Sequence, residues 1–427
     1  MVKKSVWVGV LLTVFVLTTL ASTGYAQKKV TITATFPAPK PRWDFLIPLA
    51  EKDFEKANPG VDLTIDYEVL PYGELRSKLI TMMAARTPRD LLGVDCIWLG
   101  EFAEGGFLAD ITDKVNQWGR MDEWYAQNRA GSTYNGKYYG IWTFTDARLI
   151  LYWKDMLQKA GVQPADLKTW AGYINAGQKL NEYWRPEGVE GVLLIGDPWG
   201  AIDWWFPYLW MLGGKIIEKK EGKWYPVYDS MAGVVASQFL RDQVVAGIRP
   251  LVGHRWGERF ANRKYVTWLG GTWAFGKVDK EQLDKVGLIG AFPVPTPGLP
   301  TSTMLGGWVL AISSTAKSPD ITWEFMKSIQ KPEVVAQMLA EYGYLPTQKT
   351  IAEEEPYKTD LLKYWGWGRW AEITNLLPLG RARPNIAEYP KVADQIGVAV
   401  TEVYAGKKTP EEALKEAAKK SAKVLGW

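Results

Sequence analysis

The chain has 427 residues, 47% hydrophobic and 23% charged, an ordinary globular composition with length enough for two or three domain-sized units. A net charge of +4, with acids and bases well mixed, shows no nucleic-acid footprint and implies no polyanionic partner. One histidine, one cysteine and no G-x-S-x-G turn argue against zinc or serine-hydrolase chemistry and exclude a disulfide within the chain. The unusual feature is aromatic: of 23 tryptophans and 20 tyrosines most are expected in the core, with a surplus that can line a cleft.

Lys3 and Lys4, an apolar run and the small residues of "ASTGYA" read as a secretory signal cleaved after Ala26. The run is short for a membrane span, and Cys96 lies far from the cleavage point, so the expectation is an exported, periplasmic protein without a lipid anchor. "KVTITATF" alternates as a strand, and "RWDFLIPLAEKDFEKA" carries apolar residues at helical spacing until "NPG" stops it. "VDLTIDYEV", "YGELRSKLITMMAAR" and "LLGVDCIWL" continue the rhythm of strand, helix and strand that builds a parallel sheet. Ligands of such sheets sit beyond the carboxyl ends of strands, which makes Asp95 a candidate by position. The middle of the chain is richer in helix, with four tryptophans in "DPWGAIDWWFPYLWMLGG". "FPVPTPGLP" is a stiff extended connector, and "TPEEALKEAAKKSAKVL" is a helix with Thr409 as N-cap, Pro410 at its first position and Glu412 closing a capping box.

In this order, "FEKANPGVDLTIDYEV", "VDCIWLGEFAEGGFLADITD", "YNGKYYGIWTFTDARLILYWKDMLQKAG", "LGGTWAFG", "PVPTPGLPTSTMLGGWVLAISS" and "RARPNIAEYPKVADQI" resemble the family 1 extracellular solute-binding proteins. That family contains the sugar-capturing components of ATP-binding cassette importers, such as maltose- and trehalose-binding proteins. The resemblance implies a two-lobe α/β fold of the periplasmic-binding-protein type (type II-like), with several hinge crossings and the ligand in the cleft. Mapped here, residues 27–144 and 300–343 form the first lobe, and 147–290 with 350–427 the second. The hinges fall near 145–146, 291–299 and 344–349. The resemblance further implies a monomer that binds a carbohydrate, works with membrane permease subunits, needs no cofactor or metal, and is not an enzyme.

Asp95 matches a family acid that accepts from sugar hydroxyls, although a turn-capping aspartate is the plain alternative. Phe144 and Asp146 match an aromatic-x-Asp beside the first hinge; relatives often carry Tyr at the aromatic position, and Asp146 can instead brace the hinge through an ion pair. Trp273 matches a tryptophan that stacks on a sugar ring, against core packing as the alternative. Gly306, Gly307 and Trp308 match "GGW", where backbone amides and the ring contact ligand. Arg383 matches an arginine able to fork two hydrogen bonds onto vicinal hydroxyls, or else to form an interlobe ion pair. Weaker candidates are Trp43, beside Arg42 on the loop after the first strand, Arg76, Glu101, Trp204 and Trp205; adjacent helical residues lie about 100° apart, so at most one of the last two reaches the cleft. His254 in "GHRWG" reads as a loop residue. Two other functions compete: a secreted glycoside hydrolase, which would need two carboxylates facing each other across the scissile bond, and a binding protein for a non-sugar solute such as a phosphorylated polyol or a polyamine.

Overall fold

The computed structural model describes residues 28–87, 89–193, 198–248, 258–290 and 292–427. The signal segment and His254 lie outside the described residues. The opening stretch folds in the expected rhythm: β1 (Lys28–Pro37), α1 (Lys40–Ala57), β2 (Val61–Leu70), α2 (Tyr72–Ala84), β3 (Leu91–Asp95) and α3 (Leu99–Glu104). Alternation does the sorting in β1, where Val30, Ile32, Ala34 and Phe36 are buried, while α1 covers them with Leu46, Ile47, Ala50 and Phe54. β1 pairs in parallel with both β2 and β3.

The principal elements that follow are β4 (Ile141–Trp153), β5 (Glu190–Leu193), α4 (Pro198–Met211), α5 (Met231–Val245), β6 (Tyr265–Gly271), β7 (Val286–Ile289), β8 (Thr303–Ile312), α6 (Pro332–Tyr342), β9 (Leu345–Pro346), α7 (Tyr357–Trp365), β10 (Gly380–Arg381), α8 (Tyr389–Tyr404) and α9 (Pro410–Val424). Ten strands make one mixed sheet in the order β2-β1-β3-β8-β4-β6-β5, with β7 and β9 joining on β4 and β10 on β8.

All thirteen residues of β4 are buried, and the strand changes partners along its length. Ile141 to Ala147 pair antiparallel with β8, whereas Arg148 to Trp153 pair with β6 and β7. The change lies between Ala147 and Arg148, next to the expected crossing at 145–146. β8 crosses in the opposite sense: Thr303 and Met304 pair with β10 before the strand enters the β3–β4 side. The Pro-rich connector is fastened to the second half, where Val294 exchanges backbone hydrogen bonds with Lys168 and Trp170 and Trp170 Nε1 donates to Pro293 O at 2.9 Å.

In the second half α4 packs on α5 and α8, and α8 on α9. The capping box of α9 forms as its sequence indicates: Thr409 Oγ1 accepts from Glu412 N, and the Glu412 carboxylate accepts from Thr409 N. α7 departs from the simple division, because it packs on α6 of the first half while Trp365 meets Phe275 of the second edge-on at 4.8 Å. Buried Leu361, Leu362 and Trp365 give α7 two apolar neighbours, so it bridges the halves. Among the described residues no helix is long and apolar enough to cross a membrane.

Candidate binding site

The site forms where β3, β4 and β8 meet the second half. Asp95 ends β3 opposite Trp308 of β8. Its carboxylate accepts from Tyr72 Oη at 2.9 Å and from the backbone N of Ile97 at 3.2 Å. In β4 the alternation of side chains puts Asp146 and Arg148 on one side of the strand. Arg148 donates to Asp146 and reaches Asp203 of α4 through Nη2 at 2.8 Å and Nε at 3.2 Å. Arg383, just after β10, stands 3.7 Å from Asp95 and 4.0 Å from Asp203. The charges therefore form a ladder, Asp95–Arg383–Asp203–Arg148–Asp146, in which every residue is buried.

Three carboxylates against two guanidiniums leave one excess negative charge in this ladder. Burial alone would lower the pKa of Arg383; the carboxylates of Asp95 and Asp203 favour the charged form and its pKa is raised, so the guanidinium stays charged. Cys96, at the foot of the ladder, has its thiol pushed up by burial and by Asp95. Beside Asp95 stands an aromatic wall: Tyr72 stacks on Trp98 at 5.5 Å, and both present their rings edge-on to Trp308 at 6.0 and 6.2 Å. Trp308 is half-buried and Tyr72 is exposed, so the wall keeps open surface while the ladder is covered. Alternating carboxylates and forked guanidiniums suit a solute with many hydroxyls, and the rings suit its C–H face.

The structure brings Asp95, Asp146, Arg383 and Trp308 together. It places several candidates elsewhere. Phe144 and Trp43 are fully buried around the guanidinium of Arg42, which lies 4.8 and 5.0 Å from their rings. Trp43 is on α1 rather than on a loop; it stacks on Phe36 at 4.0 Å and donates from Nε1 to Pro37 O. Neither ring keeps a free face, because both serve the packing of the first half. Trp205 is also core: its Nε1 donates to Ser237 Oγ at 2.8 Å, which turns it toward α5. Trp204 is buried on the same helix as Asp203. Arg76 and Glu101 form a partly exposed, two-pronged ion pair between α2 and α3. Trp273 is half-buried, edge-on to Trp268 at 5.2 Å, with Lys277 Nζ 5.7 Å above its ring.

The two Gly-Gly pairs receive different explanations. A Cβ on Gly306 would stand 2.9 Å from Asp146 Oδ2, and Gly307, at φ 146°, would press a Cβ to 2.3 Å from Trp142 Nε1 and 2.4 Å from Phe144 O. The space left by these side chains is taken up by the protein's own Asp146 and Trp142, which corrects the expectation that it admits ligand to the backbone. Gly271 lets the indole of Trp273 fold back, since a Cβ there would meet Nε1 at 2.1 Å.

Sequence reasoning did not single out Arg148, Asp203, Tyr72 and Trp98, which the structure places in this cluster. Two of them carried a readable signal. Arg148 follows Asp146 by two positions within a buried strand, and Asp203 is the one acid in an otherwise apolar helix, where a charge must find a partner.

Residues 50–363 match the family described as bacterial extracellular solute-binding protein, about three quarters of the chain. The chain belongs to that family. Among solved structures, this solute-binding protein is similar to one from Thermotoga lettingae bound with α-D-tagatose, with a TM-score of 0.80 at 24% identity over 93% of this chain and 100% of the other. It is also similar to maltose-bound MalE3 of T. maritima, with a TM-score of 0.78 at 25% identity over 91% and 98%. A diacetylchitobiose-binding protein, DasA of Streptomyces coelicolor, is 23% identical over 309 residues, 70% of this chain and 69% of that one. These likenesses support the two-lobe α/β architecture expected from the sequence.

Proposed function

We propose that this solute-binding protein captures a carbohydrate, an oligosaccharide, in the periplasm and hands it to the permease subunits of an ATP-binding cassette importer. The two lobes meet at the crossings of β4 and β8, and the sugar draws them together by touching both. The protein acts as a monomer and transforms nothing. The observation that carries this reading is the ladder itself: Asp95 from β3, Asp146 and Arg148 from the crossing strand and Asp203 from α4, tied by Arg383 and flanked by the Tyr72–Trp98–Trp308 wall. Charge that nearly cancels suits a neutral polyhydroxylated solute better than a phosphate or a polyamine. Each carboxylate of the ladder faces a guanidinium, whereas glycoside hydrolysis needs a carboxylic acid free to give up a proton.

Thermal unfolding measured against tagatose, maltose, maltotriose and diacetylchitobiose tests the reading. A bound sugar at 100 times its dissociation constant adds about 2.7 kcal/mol of stability. The expectation is a saturable rise in Tm with at least one oligosaccharide and no product on prolonged incubation. A flat Tm across the panel, or cleavage of any sugar, overturns it.

A further inference from the structure

Tyr389 opens α8, six residues after Arg383 on a segment that touches both halves. On one side Asn385 Nδ2 donates to Thr133 O at 2.5 Å, and Asn385 and Ile386 press so closely on Gly100 that a Cβ there would lie 2.9 to 3.2 Å from them. On the other side α8 packs against α4, the helix that carries Asp203. The Tyr389 side chain is wholly buried and interacts electrostatically with Arg383, Asp203, Cys96 and Asp95. Its hydroxyl nevertheless has no hydrogen-bond partner among the described residues, and neither does Nε of Arg383 in the same cluster. Buried polar groups without partners are rare and destabilising, and a phenylalanine would fill the same volume without that cost.

We propose that Tyr389 is a specificity-determining residue of the carbohydrate site, donating its hydroxyl proton to an acceptor oxygen of the bound sugar. The proposal rests on the carbohydrate reading above. It also explains how recognition is divided. Asp95 already accepts from Tyr72 and Ile97 N, and Asp146 and Asp203 accept from Arg148, so the spare capacity on this side of the site is a donor. A sugar oxygen placed against α8 answers it, and an analogue lacking that oxygen leaves Tyr389 as unsatisfied as it is without ligand.

The test is Tyr389→Phe, using whichever sugar of the panel stabilises the wild type most, together with its monodeoxy analogues. The ligand-free variant should melt at the same temperature as wild type or higher, while calorimetry shows its sugar affinity about three- to tenfold weaker, on the scale of one hydrogen bond. One monodeoxy analogue should bind variant and wild type equally. Equal affinity of variant and wild type for the parent sugar overturns the proposal, as does a lower Tm of the ligand-free variant, which would mean that the hydroxyl has an internal partner. Failure of every sugar to bind the wild type removes the carbohydrate reading and this proposal with it. Sugar binding that ignores the substitution removes the proposal alone.

Discussion

Arg42 and Arg383 are both buried arginines, one near the start of the first helix and the other beside the last crossing, and they are held in opposite ways. Arg42 has no carboxylate within ion-pair distance among the described residues. Nη1 meets Tyr344 Oη at 2.5 Å, Nη2 donates to Pro37 O at 3.0 Å, and the rings of Trp43, Phe144 and Tyr344 close around the guanidinium at 4.8 to 5.0 Å. Burial lowers its pKa, and Tyr344 offsets only part of the shift. Arg383 faces two carboxylates at 3.7 and 4.0 Å, too far for close hydrogen bonds, and its pKa is raised in spite of burial. Cation–π faces and backbone carbonyls hold the Arg42 guanidinium in place and make it a structural pin, although its Nε, like that of Arg383, has no hydrogen-bond partner among the described residues. Loosely spaced carboxylates keep the Arg383 guanidinium charged and leave its hydrogen-bonding capacity for something else.

Three substitutions break or sharpen this contrast. The largest effect belongs to Arg42→Ala, which strips three rings of their central contact and leaves Tyr344 Oη and Pro37 O without their donor. Unfolding in urea should show a loss of about 3 kcal/mol, while the sugar affinity of the folded protein stays within about threefold of wild type. Next is Arg383→Ala. Asp95 retains Tyr72 and Ile97 N, and Asp203 retains Arg148, so the fold survives; calorimetry should show sugar binding weaker by about 2 kcal/mol, roughly 30-fold. A reversal, with Arg42 governing affinity and Arg383 stability, would invert the comparison. Smallest is Trp308→Ala, which removes one half-buried face of the wall: about 1.5 kcal/mol of affinity by the same measurement, with the melting transition intact.

Much of the fold was legible in the sequence because its signals are local. The alternation in β1, the helical spacing in α1 and the capping box of α9 each reside in a few neighbouring residues. The ladder was legible in part. Asp95 announces itself by standing at a strand end, and Arg383 by its resemblance to a family arginine. The misplaced candidates have a common cause. Phe144 and Asp146 lie on the same side of β4, yet the neighbours across from that side change from α1 to α4 within a few residues, and pattern in one strand carries no record of what packs opposite it. Trp43 was hidden in the same way, since only the folded chain brings Tyr344, 302 residues away from Arg42, into the same stack. Tyr389 shows the limit most clearly: its ring reads as core, and only the folded chain shows its hydroxyl without a partner among the described residues.

The partner exchange along β4 has a consequence for how the molecule can be divided. A strand shared lengthwise by two ladders serves as the covered edge of each. Cut the chain so that either half stands alone, and the other half's ladder loses its neighbour, leaving a row of bare N–H and C=O groups flanked by apolar side chains. Such raw edges recruit other chains. Although the two halves resemble separate lobes, each acts as the other's guard against aggregation, and neither would stay in solution as an isolated fragment.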